Sequence, residues 1–187
     1  MVILASGSPR RQELLKKLCA DFKIEVCNAA EIETSDNPKN LAIKNARLKA
    51  ETVAQNFSND IVIGADTIVV LNNKIFGKPH GAQGAFEMLK TLSGKKHEVI
   101  TGLALVAQGK TFTDFDLTEV YFGEMTDEEI SAYVATGEPL DKSGSYALQG
   151  GAAKFIEKIH GDWSNVVGLP LYRLRLLAKS AGVSFRE

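Results

Sequence analysis

An α/β fold built on a mixed β-sheet is predicted by three features of this sequence. Short apolar runs alternate along the chain with amphipathic segments of helical period. Several neighbouring runs are joined by turns too short for a crossover helix, so part of the sheet must be antiparallel. No repeat, low-complexity tract or linker interrupts the 187 residues, a length within the ordinary range of one domain. The expectation is a single continuous fold over residues 1–187 whose lobes share one sheet, flanked by helices.

The elements follow in order. Val2–Ala5 is a buried strand, and Pro9–Leu18 a helix with Leu14, Leu15 and Leu18 on one face. Phe22–Val26 alternates as a second strand. Pro38–Gln55 carries the longest helical pattern, through Leu41, Ala42, Ala46, Leu48 and Val53. Ile61–Leu71 is the most apolar strand, and Asn72-Asn73 turns it into Lys74–Phe76 as a hairpin. Gly81–Leu92 suits a third helix despite Gly84. Glu98–Ala107 and Thr111–Phe122 are long strands around the turn Gln108-Gly109-Lys110. Thr126, followed three residues later by Glu129, is a capping box that opens a fourth helix. Ser145–Leu148 and a Gly150-Gly151 turn precede the alternating segment Lys154–His160, and Leu171–Ala181 closes the chain as a helix.

Composition excludes several classes. The balance of 22 Lys+Arg against 23 Asp+Glu argues against a dedicated nucleic-acid binder, whose affinity rests on a basic face. Cys19 and Cys27 form no CxxC pair and read as free thiols of a reducing, cytoplasmic compartment. The start, Met1-Val2-Ile3-Leu4-Ala5, lacks the charge-then-apolar order of a signal peptide, and no run is long enough to span a membrane. With 44% hydrophobic residues, the chain has material for a core without metal or disulfide staples.

Four segments are candidates for chemistry. In Ala5-Ser6-Gly7-Ser8-Pro9-Arg10-Arg11 a buried strand ends in a Ser-Gly-Ser turn, with Ser8 at the cap and Pro9 at the first helical position. Arg10 and Arg11 stand in the first turn, where the helix dipole favours acids, so a bound anion such as phosphate would resolve the mismatch. An ordinary capped helix with solvated arginines is the plain alternative. In Ile61–Val70, apolar on both faces, Asp66 is costly to bury and should meet a cation, a metal or a cleft as a functional group, or else be a structural carboxylate paired with a neighbouring Lys or Arg. Gly64 would let a ligand or another backbone come close. Lys78 in Gly77-Lys78-Pro79 is either a site cation or a solvated surface charge. The stretch from Gly137 to Gly150 is rich in Gly, Pro, Ser and Asp, and reads equally as a binding loop or as turn chemistry.

His80, His97 and His160 are scattered without zinc-ligand spacing. Glu31 and Glu33 flank Ile32 and point the same way in an extended segment. With Asp66 they would suit Mg²⁺ shared with substrate phosphates, or they are solvated loop acids. Arginines, a lysine, a buried Asp and carboxylates for Mg²⁺ make a set suited to stabilising a phosphoryl transition state.

These segments, taken together, resemble the Maf family of nucleoside triphosphate pyrophosphatases. The matching stretches are Leu4-Ala5-Ser6-Gly7-Ser8-Pro9-Arg10-Arg11, Gly64-Ala65-Asp66-Thr67, Gly77-Lys78-Pro79 and Leu92-Ser93-Gly94. Glu138-Pro139-Leu140-Asp141-Lys142-Ser143-Gly144, Gln149-Gly150 and Asn165-Val166-Val167-Gly168-Leu169-Pro170 complete the set, in family order. Each motif alone is modest, and the ordered set is specific.

The resemblance implies an elongated α/β structure with two lobes around a nucleotide cleft, of the Maf/ITPase-like kind. It implies hydrolysis of a nucleoside triphosphate to monophosphate and pyrophosphate with a divalent cation, Mg²⁺ or Mn²⁺, and a homodimer. Ser6, Arg10, Arg11, Lys49 and Lys78 match substrate-binding positions. Asp66 matches the residue termed the catalytic base, and Glu33, with Glu31 as the alternative, matches the acidic metal-site residue. A carboxylate beside a divalent ion and several side-chain cations is a poor proton acceptor at pH 7. Asp66 is therefore expected to hold the metal and orient the attacking water. Arg10, Thr67 and Gln149 match specificity positions. Gln149 resembles the subfamily acting on dTTP and UTP, where the 7-methyl-GTP subfamily carries an acid; a glutamine amide offers a donor and an acceptor to the thymine or uracil edge. A non-catalytic regulator of cell division that binds nucleotide is the competing class.

Overall fold

In the computed structural model, which describes residues 1–35 and 37–185, the apolar runs become strands and the amphipathic segments become helices around them. Their order is β1 (Val2–Leu4), α1 (Pro9–Leu15), β2 (Phe22–Ile24), α2 (Pro38–Ala54), β3 (Ile61–Leu71), β4 (Lys74–Phe76), α3 (Gly81–Leu92), β5 (Lys96–Ala107), β6 (Lys110–Phe122), α4 (Asp127–Ala135), β7 (Ile156–His160), α5 (Trp163–Val167) and α6 (Leu171–Ser180). Between α4 and β7 the chain runs through short 3-10 turns at Glu138–Asp141, Ser143–Ser145 and Gly151–Phe155.

The sheet runs β2-β1-β3-β5-β6-β7, with β4 added to β3. It is mixed as expected: β1 is parallel to β2 and β3, and every other pairing is antiparallel. Asn72 and Asn73 both take positive φ, 50° and 62°, which the tight β3–β4 turn demands and which asparagine tolerates. The capping box at Thr126 and Glu129 is present with both of its bonds.

Two differences have local causes. The first helix stops at Leu15 instead of Leu18, because Lys17 and Leu18 switch to 3-10 bonds onto Leu14 and Leu15 and tuck Cys19 into the core. The five-residue α5 is too short for periodicity to reveal. It is held by Asp162, whose carboxylate accepts from the Ser164 amide at 2.7 Å.

Strands β3, β5 and β6 are long enough to run through two separate apolar clusters. One gathers Val69, Leu71, Phe76, Leu89, Leu92, Val99, Phe122, Ile130 and Tyr133 under α3 and α4. The other gathers Leu4, Leu14, Leu15, Ile63, Ala65, Leu103, Leu169 and Leu174 under α1 and α6. The predicted lobes are these two ends of one sheet.

Helix α2 covers the opposite face at unusually short range. A methyl group built on Gly64 would run into the Ala46 carbonyl oxygen and lie 2.9 Å from the Ala50 nitrogen. One built on Gly102, across from Asp66 in the ladder, would run into the backbone at Ala42. The close approach foreseen at Gly64 is therefore to another backbone, and the small residues Ala42, Ala46 and Ala50 complete it.

Candidate active site

The site begins with a gap in a strand edge. β5 takes one edge of β3 from Val62 to Val70. On the other edge β1 pairs only with Ile61–Ile63, and β4 only with Val69–Leu71. Between them, residues 64–68 face no strand. The chain leaving β1 enters this gap through Ser6, and the chain leaving β4 runs back toward it through Gly77 and Lys78. Asp66 and Thr67 lie at its centre.

On the α2 face, Asp66 is buried, 6% exposed. Its Oδ1 accepts from Lys49 Nζ at 2.7 Å, and its Oδ2 accepts only a long bond, 3.4 Å, from Asn45 Nδ2. Desolvation thus found its counter-charge, as expected for this carboxylate. The short distance between α2 and Gly64 is what lets Lys49 reach it. Lys49 also meets Glu31 Oε1 at 2.7 Å.

Asn45 sets that second contact. It accepts from the Ile32 amide at 2.8 Å and donates to the Ile32 carbonyl at 2.9 Å, which drapes the Glu31–Glu33 loop over α2. Glu31 then points at Lys49, whereas Glu33 is exposed and has no ion pair among the described residues.

On the other face, Arg11 is held at three points. Its Nε donates to the Gly168 carbonyl at 2.8 Å, Nη1 to Ser6 Oγ at 3.2 Å and Nη2 to Thr67 Oγ1 at 3.0 Å. Thr101 donates its one hydroxyl proton to the Asn165 carbonyl at 3.0 Å, so at 2.9 Å it is Thr67 Oγ1 that donates to Thr101 Oγ1. Burial pulls the Arg11 guanidinium below its ordinary value and Arg10 adds repulsion, while the Asp66 and Glu31 carboxylates pull it back up. It stays protonated, since an arginine does not lose its proton in a protein. Three of its five N–H groups are used and two remain.

Arg10, Lys78 and Gln149 make no side-chain hydrogen bond or ion pair among the described residues. Arg10 is near enough to influence Asp141, which lies below its ordinary value chiefly through its bond to Lys142, with Arg10 adding to the effect. The 3-10 segment Ser143–Ser145 closes against the gap: Ser143 Oγ donates to the Thr67 carbonyl at 3.1 Å, and Gly144 N donates to the Gly77 carbonyl at 3.1 Å.

The structure therefore brings together Ser6, Arg11, Lys49, Asp66, Thr67 and Glu31, and leaves Glu33 in solvent. Sequence reasoning missed Asn45, Thr101 and Asn165. Asn45 was detectable: it sits four residues before Lys49, the one polar group among the apolar Leu41, Ala42, Ala46, Ala50 and Val53 of the buried helix face. Thr101 and Asn165 are both buried; Thr101 reaches the site through its pairing with Thr67 across strands, and Asn165, in α5, reaches it through its carbonyl's bond from Thr101.

No group of three His, Cys, Asp or Glu side chains among the described residues is arranged to hold a metal ion. The donor set does fit a divalent cation that arrives with phosphate oxygens, which needs only one or two protein carboxylates. Asp66 Oδ2 has spare acceptor capacity, and Glu31 stands across Lys49 from it.

The family model described as Maf-like protein matches residues 1–181. A dTTP/UTP pyrophosphatase of Bacillus cereus (strain B4264) is 51% identical over 174 residues, 92% of this chain and 91% of that protein. A dTTP/UTP pyrophosphatase of Bacillus anthracis matches to the same extent. Among solved structures, the Staphylococcus aureus Ham1 protein aligns with TM-score 0.42 and 14% identity over 82% of this chain and 90% of that one, too loosely to carry an argument. Among the described residues, no helix is long and apolar enough to cross a membrane.

Proposed function

This chain belongs to the Maf family, and from that membership we propose that it is a dTTP/UTP pyrophosphatase, hydrolysing these triphosphates to the monophosphate and pyrophosphate. The observation that carries the reading is the meeting of Arg11, Lys49 and Asp66 at the unpaired stretch of β3. A site of this kind places positive charge where the phosphoryl group gains negative charge.

Donor capacity divides the work. The Lys49 ammonium has three N–H groups, of which Asp66 and Glu31 take two, leaving one for a phosphate oxygen. Arg11 offers its two remaining N–H groups to the phosphates, and Arg10 and Lys78 offer theirs in full. Asp66, anchored through Oδ1, orients the attacking water with Oδ2. Water adds to the α-phosphorus as the bond to the α–β bridging oxygen breaks; the pyrophosphate takes that electron pair, and the proton the water gives up passes to the leaving pyrophosphate or to solvent. Asp66 with Glu31 or Glu33 would hold Mg²⁺ or Mn²⁺ brought in with the substrate; when bound, such an ion supplies charge neutralisation and a more acidic water.

Specificity falls to Gln149, exposed at the tip of its turn, whose amide complements N3–H and O4 of thymine and uracil. The Thr67 hydroxyl is committed to Arg11 and Thr101, so its influence on specificity runs through Arg11. The same reading carries with it a cytoplasmic homodimer that limits canonical or modified pyrimidine triphosphates. Pyrophosphate release across a triphosphate panel with Mg²⁺ or Mn²⁺ tests it. Turnover strongest on dTTP and UTP is expected. Binding without turnover would favour a nucleotide-binding regulator, and turnover confined to 7-methyl-GTP would overturn the substrate class.

A further inference from the structure

We infer that Glu138 and Tyr133 are positioning residues that brace the Gln149 turn and thereby set which base the site accepts. The inference rests on the proposed reading of Gln149 as the base reader. Gln149 is exposed, and its own side chain has no bond that would hold it among the described residues. Its backbone is held on both sides. Before it, the Ala147 amide donates to the Tyr133 hydroxyl at 3.2 Å, and Ala147 is buried. After it, the Gly151 amide donates to Glu138 Oε2 at 3.0 Å. The Gly150 amide closes the turn onto the Ala147 carbonyl at 3.1 Å.

The two braces support each other. Burial, and then the adjoining Glu138 carboxylate, push the Tyr133 phenol well above its ordinary value, so it stays a neutral phenol whose lone pairs accept from the Ala147 amide. Glu138 has no salt bridge among the described residues; the neighbouring Lys142 ammonium goes to the Glu138 backbone carbonyl and to Asp141 instead. A carboxylate left to accept a backbone amide makes a stronger bond than a neutral group would. The contact also accounts for the Gly150-Gly151 pair. A methyl on Gly150 would run into the Glu138 carboxylate, and one on Gly151 would lie 3.0 Å from the Tyr133 ring. Arg10 exerts its field on both Tyr133 and Asp141, so the brace adjoins the charged end of the cleft.

The chemistry requires such a brace. An amide can turn over and present donor and acceptor in either order, and the reversed order suits cytosine. That turn-over needs no backbone movement, so what the brace fixes is the distance at which the Gln149 amide meets the base; with the backbone displaced, the amide falls out of reach and its preference is lost whichever way it faces.

The test compares kcat and KM for dTTP, UTP and dCTP in Tyr133→Phe, Glu138→Ala and Glu138→Gln, with thermal melting to establish folding. Tyr133→Phe and Glu138→Ala should raise KM for dTTP about tenfold while kcat stays within about twofold, and should cut the dTTP-over-dCTP preference about tenfold. Glu138→Gln, whose amide oxygen still accepts from Gly151, should recover part of the preference. Adding Glu138→Ala to Gln149→Ala should cost no further preference. Equal losses on every triphosphate, or an unchanged preference in folded variants, would overturn the brace. If Gln149→Ala itself leaves the preference intact, the base-reading role falls, and the brace with it.

Discussion

Replacing Lys49 with methionine removes a charge while keeping most of the apolar stem. The ammonium lies 2.7 Å from both Asp66 and Glu31, with side-chain exposures of 12% for Lys49, 9% for Asp66 and 52% for Glu31. The Glu31 arm behaves as a surface pair and contributes under about 1 kcal/mol. The Asp66 arm is close to the buried limit, where removing one partner costs about 3–5 kcal/mol. Arg11 and the Asn45 amide remain near the orphaned carboxylate and offset part of that cost, so the expected loss is about 2–3 kcal/mol. In a domain of this length that lowers Tm by about 4–12 °C. Urea denaturation of Lys49→Met, Asp66→Asn and the double variant measures it directly. The double variant, with neither charge buried, should be more stable than the sum of the single losses by at least about 1 kcal/mol. Strictly additive losses would show that the two side chains are not coupled and would refute this account of how Asp66 is accommodated.

The other predictions are more local. Burial pushes the His97 imidazole down to about 4 from its ordinary 6.5, so between those two pH values the unfolded chain binds the proton and the folded chain does not. The His97 contribution is whole above pH 6.5 and should fall by about 3 kcal/mol as pH drops to 4; His97→Gln should flatten that part of a pH series of urea midpoints. Gly64→Ala should destabilise by about 3 kcal/mol or more, read by calorimetry, because the methyl meets the α2 backbone and no flexible side chain can move aside. Asp66→Asn should lose turnover and metal dependence together; retained activity with unchanged metal affinity would contradict the role given to Asp66. Gln149→Glu should depress dTTP and UTP hydrolysis far more than it lowers Tm.

How much of this was legible in the sequence depended on how local the cause was. Helix α2, β3 and its Asn72-Asn73 turn, and the Thr126 capping box follow from periodicity and from backbone conformations few residues accept. The cost of burying a carboxylate announced that Asp66 would have a cation, a metal or a cleft beside it, and left open which. What the sequence could not convey was register. The gap on β3 exists because β1 and β4 end where they do, and nothing in either segment announces its pairing range. Which of Glu31 and Glu33 meets Lys49 was hidden for the same reason: Asn45 holds the Ile32 backbone, a contact between a loop and a helix thirteen residues apart. Arg11 reads from the sequence as a phosphate-binding arginine; its anchoring stays hidden because its acceptors, Thr67 and the Gly168 carbonyl, lie far along the chain. Glu138 lies in a stretch that reads equally as a binding loop or as turn chemistry, and its bond to the Gly151 amide spans thirteen residues that no local pattern connects.

Product identification with dTTP tests the central claim most directly. With Mg²⁺ or Mn²⁺ present, the account predicts dTMP and pyrophosphate in equal amounts, and loss of both products in Asp66→Asn. Release of dTDP with inorganic phosphate, or bound dTTP left intact by the wild-type chain, would contradict it.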